Sequence, residues 1–147
     1  METGHAKPLG YFLRHIDTLL EQNFADLLSG HGLVRRSWQV LNTIARGPTD
    51  LAGLDRAHAH FRDAAESTVA PHVQAFIERD WVSVAADGLY VLTQEGQAEY
   101  RRLSELIDAE RAATLDGLTP DDYRALLGKL QRISDNLESV ARSRAQR

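Results

Sequence analysis

The chain has no cysteine, which excludes a disulfide framework and a thiolate zinc site. It has no run of about 18 apolar residues, the length that would cross a bilayer as a helix. The opening METGHAKPLG carries no apolar stretch of the kind a secretory leader needs, so a soluble, cytoplasmic protein is expected, with no membrane partner. Positive charge is short: 17 Lys and Arg stand against 21 Asp and Glu, a net charge of -4. A nucleic-acid partner would therefore have to be met by a local basic patch, because phosphate neutralisation needs concentrated positive surface. Also missing are a G-x-S-x-G elbow, a phosphate-binding glycine loop and an H-E-x-x-H helix, so no familiar catalytic motif is in place.

What remains is 147 residues of ordinary globular composition, 43% hydrophobic and 26% charged, the length of one domain. Most of it patterns as helix. Over residues 8–29, Phe12, Ile16, Leu19, Leu20 and Leu27 recur at helical spacing, with Pro8 suited to a first turn and Gly30 and Gly32 to a stop. A second helix is predicted over 34–46, with Trp38, Leu41 and Ala45 on one side, broken by RGPTD at 46–50. A short third helix is expected over 54–61. A fourth is expected over 66–79, with Val69, Val73, Phe76 and Ile77 inward and Ser67 as N-cap. Residues 81–93 read as a hairpin around Asp87-Gly88.

A long helix follows over 94–115, with Tyr100, Leu103 and Ile107 inward. DGLTPDD at 116–122 stops it and starts a last helix: Thr119 can cap, Pro120 suits the first position, and Asp121 and Asp122 favour the positive end of the dipole. That last helix carries Tyr123, Leu126, Leu127, Leu130, Ile133, Leu137 and Val140, a stripe too long for a small domain to cover alone, so a partner helix from a second copy is expected.

The order of helices around one small hairpin, together with SWQVL at 37–41, STV at 67–69, FIERDWV at 76–82, LTQEG at 92–96 and LTPDDYRALLGKL at 118–130, resembles the MarR family of bacterial transcription regulators over nearly the whole chain. The resemblance implies a mainly α fold with a β-hairpin. A winged helix-turn-helix at 33–96 would be flanked by helical dimerisation segments at 8–32 and 97–147. It also implies a homodimer that binds double-stranded DNA and, in many members, releases it when a small aromatic or phenolic ligand binds.

The recognition helix would then be 67–79, with Ser67, Thr68, Pro71, Gln74, Ala75 and Glu78 opposite the core stripe and His72 and Arg79 on the flank. Ser, Thr and Gln can hydrogen-bond bases or phosphates. Two departures weaken the match. Pro71 stands where relatives commonly place a base-reading Arg, and the basic wing tip is missing. From 66 to 92, Arg79 is alone against Glu66, Glu78, Asp80 and Asp87. Positive charge lies elsewhere: Arg35 and Arg36 at the start of the second helix, where free backbone N–H groups also favour phosphate, and Arg56 and Arg62 near the third. Expected DNA contacts are Arg35, Arg36, Ser67, Thr68, His72, Gln74 and Arg79.

A second stripe on the first helix, Tyr11, His15, Thr18 and Gln22, is polar but uncharged, as suits a pocket wall better than a solvated face. With Arg14 able to anchor a carboxylate or phenolate and Trp38 an aromatic wall, Tyr11, Arg14, His15, Thr18 and Trp38 are the expected ligand contacts. His58 and His60, near Asp55 and His72, raise a metal site, but a spacing of two turns them to different sides of a helix, and no metal or other cofactor is expected. The reading is a ligand-responsive dimeric repressor. The alternative is a protein of this fold whose DNA binding is weakened or lost and which serves ligand binding or catalysis, with His15 a conceivable general base.

Overall fold

The computed structural model describes residues 6–59 and 67–147. The element order is α1 (Leu9–Ser29), α2 (Arg35–Arg46), α3 (Leu51–Ala57), α4 (Ala70–Glu78), β1 (Val82–Val84), β2 (Tyr90–Leu92), α5 (Gln94–Thr114) and α6 (Pro120–Ala145). The mainly helical class with one antiparallel hairpin is as the sequence pattern predicts. None of the described helices is long and apolar enough to cross a membrane. The chain divides into two compact units, residues 1–107 and 108–147.

The first unit has one core: Leu28 and Leu33, Val40, Leu41 and Ile44 of α2, Leu54 of α3, Val69, Val73 and Phe76, Trp81, Val82, and Leu103 of α5. The face that α2 buries is Ser37, Val40, Leu41 and Ile44. Trp38 and Ala45, predicted to point inward with Leu41, are only half-buried. Ser37 sits inside because its hydroxyl is used twice at the helix start, accepting from the Val34 N–H and donating to the Val34 carbonyl, both at 2.8 Å.

Helix boundaries move where side chains seize orphan backbone groups. α3 begins at Leu51, three residues before the predicted start, because the Asp50 carboxylate accepts from the Gly53 N–H at 2.8 Å. The predicted end of that helix, His60 and Phe61, lies outside the described residues. α4 begins at Ala70 rather than at 66, and Ser67 is not its cap. Glu66 and Arg62 also lie outside the described residues.

Two helix ends share one device. After α1, Leu33 N–H bonds the Leu28 carbonyl at 3.0 Å and Gly32 N–H bonds the Ser29 carbonyl at 3.1 Å, with Gly32 at φ 71°. After α4, Trp81 N–H bonds the Phe76 carbonyl at 3.0 Å and Asp80 N–H bonds the Ile77 carbonyl at 3.0 Å, with Asp80 at φ 61°. Both are Schellman motifs, each with its apolar contact across the turn: Leu33 with Leu28, both in the core, and Trp81 stacked on Phe76 at 5.8 Å. Glycine supplies the left-handed residue once, and aspartate must do so the second time.

The hairpin pairs Val82 with Leu92, Ser83 with Val91 and Val84 with Tyr90. Its turn is a four-residue one in which Gly88 N–H bonds the Ala85 carbonyl at 2.9 Å and Gly88 takes φ 82°. The Asp87 carboxylate accepts from the Leu89 N–H at 3.0 Å. A bridge from Tyr90 N–H to the Thr49 carbonyl, 2.7 Å, adds the α2–α3 link to the sheet. Packing is confined to the base: Trp81 and Val82 are buried while Val84 is 56% exposed, so the tip is less packed than its alternation suggests. Gly96 lets α5 start directly beneath this base, since a Cβ there would lie 2.0 Å from the Trp81 carbonyl oxygen.

In the second unit, α6 opens with the predicted cap. Thr119 Oγ1 accepts from the Asp122 N–H at 3.0 Å and Asp122 Oδ2 accepts from the Thr119 N–H at 2.9 Å. No residue of α6 is buried.

Candidate nucleic-acid interface and ligand face

α4 packs on α2, α3 joins the same core through Leu54, and α3 and α4 are the two helices of a helix-turn-helix, with the hairpin following α4 directly as the wing. α4 turns Val73 and Phe76 inward and leaves Pro71, Gln74, Ala75 and Glu78 exposed. Its first turn is held from α3. Asp55 Oδ1 accepts from the Val69 N–H at 2.8 Å, and Asp55 Oδ2 accepts from the Thr68 hydroxyl at 2.9 Å. Thr68 Oγ1 in turn accepts from the Ala70 N–H at 3.2 Å. A carboxylate therefore occupies the positive end of the helix dipole, where a phosphate would otherwise be favoured.

Each expected DNA contact has a definite place. Gln74 is on the exposed face, with Ser67 exposed just before the helix and His72 half-buried on its flank. Thr68 is half-buried, its hydroxyl directed to Asp55. Arg35 pairs with Glu21 at 2.9 Å and lies over the Phe24 ring, 5.3 Å from its centroid. Arg36 donates to Gln39 Oε1 at 3.1 Å. Arg79 lies over Trp81, its guanidinium carbon 3.7 Å from the ring centroid, and donates from Nη2 to the His31 carbonyl at 3.2 Å. Arg35, Thr68 and Arg79 thus engage residues of other elements, which their spacing does not reveal. Asp55, which fixes the start of α4, is the residue that pattern reading missed. Its only signal is a carboxylate thirteen residues before the threonine it binds.

Of the α1 stripe, Tyr11, His15 and Thr18 border one hollow and Gln22 is not among its lining residues. Pro8, Gly10, Tyr11, Arg14, His15 and Thr18 line one open hollow, and the Tyr11 and His15 rings stack at 5.5 Å and 20°. Trp38 is not among the lining residues. It stacks on Tyr100 at 5.4 Å and 13°, and the Tyr100 hydroxyl donates to Asn42 Oδ1 at 2.6 Å. The ligand residues expected from the sequence therefore fall into two places: four on α1, and Trp38 in an α2–α5 aromatic stack. Of the histidines weighed as metal ligands, His58 is buried with its Nε2 3.1 Å from Thr43 Oγ1, and His60 lies outside the described residues. Because the Thr43 hydroxyl donates to the Gln39 carbonyl, Nε2 of His58 is the donor to Thr43.

A helix-turn-helix completed by a short hairpin defines the class: a winged-helix fold. Compared with solved structures, the chain is 25% identical to a MarR family protein of Mycobacterium tuberculosis solved in complex with DNA, covering 87% of this chain and 98% of that one with a TM-score of 0.65. It is 24% identical to a MarR family protein of Mycobacterium tuberculosis in complex with salicylic acid, over 88% and 98% of the two chains, TM-score 0.60. Escherichia coli MarR in its reduced form matches at 17% identity over 90% and 97%, TM-score 0.63. No protein-family model and no curated protein sequence matches. The fold is the winged-helix fold of the MarR family of transcriptional regulators.

Proposed function

We propose that this protein is a DNA-binding transcriptional regulator, a cytoplasmic homodimeric repressor that responds to a small aromatic or phenolic ligand. The observation that carries the reading is the outer face of α4. Pro71, Gln74, Ala75 and Glu78 stand clear of the buried Val73 and Phe76, in a fold matched at 25% identity by a MarR family protein solved in complex with DNA. Gln74 is the base-reading side chain of that face, with Ser67 just before the helix and His72 on its flank for phosphate or base edges.

Dimerisation is supported by what the single chain leaves uncovered. α1 exposes Leu9, Phe12, Leu13, Ile16, Leu19 and Leu20, and α6 exposes Tyr123, Leu126, Leu127, Leu137 and Val140. Each is an apolar helix face of the kind a second copy would bury. The ligand reading rests on the α1 hollow, where Arg14 supplies charge and Tyr11, His15 and Thr18 supply hydrogen-bonding tips. A relative solved with salicylic acid supports that ligand class.

The test is titration of the protein's own upstream DNA at about physiological salt. A specific complex tighter than about 10⁻⁸ M is expected, weakened by Gln74→Ala and, if the α1 hollow is the sensor, released by salicylate in the parent but not in Arg14→Ala. No complex at micromolar protein overturns the reading for that DNA. The second reading, a protein of this fold with weakened DNA binding that works through its ligand, is favoured by one fact: the only Lys or Arg between Glu66 and Leu92 is Arg79, and it lies on Trp81. Asp87→Arg distinguishes the two. It restores a positive wing tip, so a DNA binder gains affinity and salt slope.

A further inference from the structure

We infer that Arg79 is a positioning residue that caps the C-terminus of α1 and ties the recognition helix to it, rather than a phosphate contact.

Arg79 is the C-cap of α4. The left-handed Asp80 reverses the chain so that Trp81 returns beneath the helix end and stacks on Phe76. This return places the indole under the Arg79 guanidinium, 3.7 Å from carbon to ring centroid, closer than the contact of Arg35 with Phe24 at 5.3 Å. The cation thereby rests over a buried ring, and its forked N–H groups are free to reach beyond it. They reach the α1 end. Nη2 donates to the His31 carbonyl, and Nη1 lies 3.5 Å from where a Cβ on Gly32 would be.

His31 occupies the same position in the α1 Schellman turn that Arg79 occupies in the α4 turn. The turn satisfies the Leu28 and Ser29 carbonyls, and the His31 carbonyl is left for another donor. A guanidinium there answers both the orphan acceptor and the negative end of the α1 dipole. One side chain thus joins two helix termini 48 residues apart. Stacked on one side and hydrogen-bonded on the other, the cation has its donors turned toward α1. A shift of α1 at this end pulls on the end of the recognition helix through one rigid link.

The consequence for DNA rests on the proposed DNA-binding function, while the link itself does not, and the experiment separates them. Amide exchange is measured on the parent, Arg79→Gln and Arg79→Lys, and DNA affinity is measured against salt. In Arg79→Gln the amides of Gly32 and Leu33 and those of Asp80 and Trp81 are expected to exchange about two- to fivefold faster together, as loss of one exposed cation–π contact implies. Arg79→Lys recovers part of this protection, since an ammonium reaches the same carbonyl without the planar stack. DNA affinity falls by a similar factor at every salt concentration, with the slope unchanged. Exchange that rises only at the α4 end, or at neither end, overturns the link. A salt slope reduced by about one in Arg79→Gln and restored in Arg79→Lys makes Arg79 a phosphate contact and overturns the assignment. If the parent binds no DNA, the exchange result alone decides the link and the DNA-binding reading falls separately.

Discussion

α4 and α6 are both regular helices held for opposite reasons. α4 has nine residues, too few to persist alone, and is fixed almost wholly by tertiary partners: Asp55 at its start, Phe76 and Val73 in the core beneath it, and the Trp81 stack at its end. α6 has 26 residues and none buried. It is held by neighbours within one turn: its Thr119–Asp122 box, the Arg124–Asp121 pair, the Gln131–Asp135 hydrogen bond at 2.9 Å and the Arg142–Glu138 pair at 3.9 Å. A short helix mounted on all sides but one presents a fixed outer face, which is what reading a groove requires. A long helix with an exposed apolar stripe takes its order from contacts along its own length.

The comparison can be broken most severely at Phe76. Phe76→Ala removes the ring on which both the inner face of α4 and Trp81 rest, and should cost about 3–5 kcal/mol in denaturant unfolding. Next, Asp55→Ala frees the Val69 N–H and the Thr68 hydroxyl, and should cost about 1–2 kcal/mol by the same measurement, with faster amide exchange confined to the start of α4. Asp80→Gly sharpens the comparison in the other direction. Relieving φ 61° at a non-glycine residue should raise stability by about 0.5 kcal/mol, after the entropy glycine adds to the unfolded chain.

The smallest effect belongs to α6 and depends on pH. The Thr119 backbone N–H, followed by its hydroxyl, holds the Asp122 carboxyl below its ordinary value. A native pKa below the unfolded one means the contribution is complete at neutral pH, shrinks as pH falls below the ordinary carboxylate range, and is gone beneath the lowered native pKa. Thermal melts of Asp122→Ala and the parent should therefore differ at pH 7 and converge in acid. A difference that persists in strong acid would assign the effect to helix propensity instead.

The Thr119 cap, the α5–α6 break, the hairpin and the inward set Val69, Val73 and Phe76 were all legible in the pattern, while Ile77, predicted inward with them, is half-buried. So was the order of elements that resembles the MarR family. The chemistry of the candidate interface was only half legible. Gln74 falls on the outer face that helical spacing predicts, but Thr68, Arg35 and Arg79 do not stand free as their positions suggest. Tyr11, His15 and Thr18 of the α1 stripe line one hollow, without Gln22, and Trp38 pairs with Tyr100 instead of joining them.

The division follows from range. Caps, turns and stripes are made among residues a few positions apart, where the geometry of one helical turn or one hairpin already says which side chain meets which backbone group, so the sequence is sufficient for them. Asp55 to Val69, His31 to Arg79 and Asn42 to Tyr100 span 14, 48 and 58 positions. Those contacts exist only once the core has set the helices against each other. Where an arginine side chain comes to rest was therefore decided by packing, which no local pattern encodes.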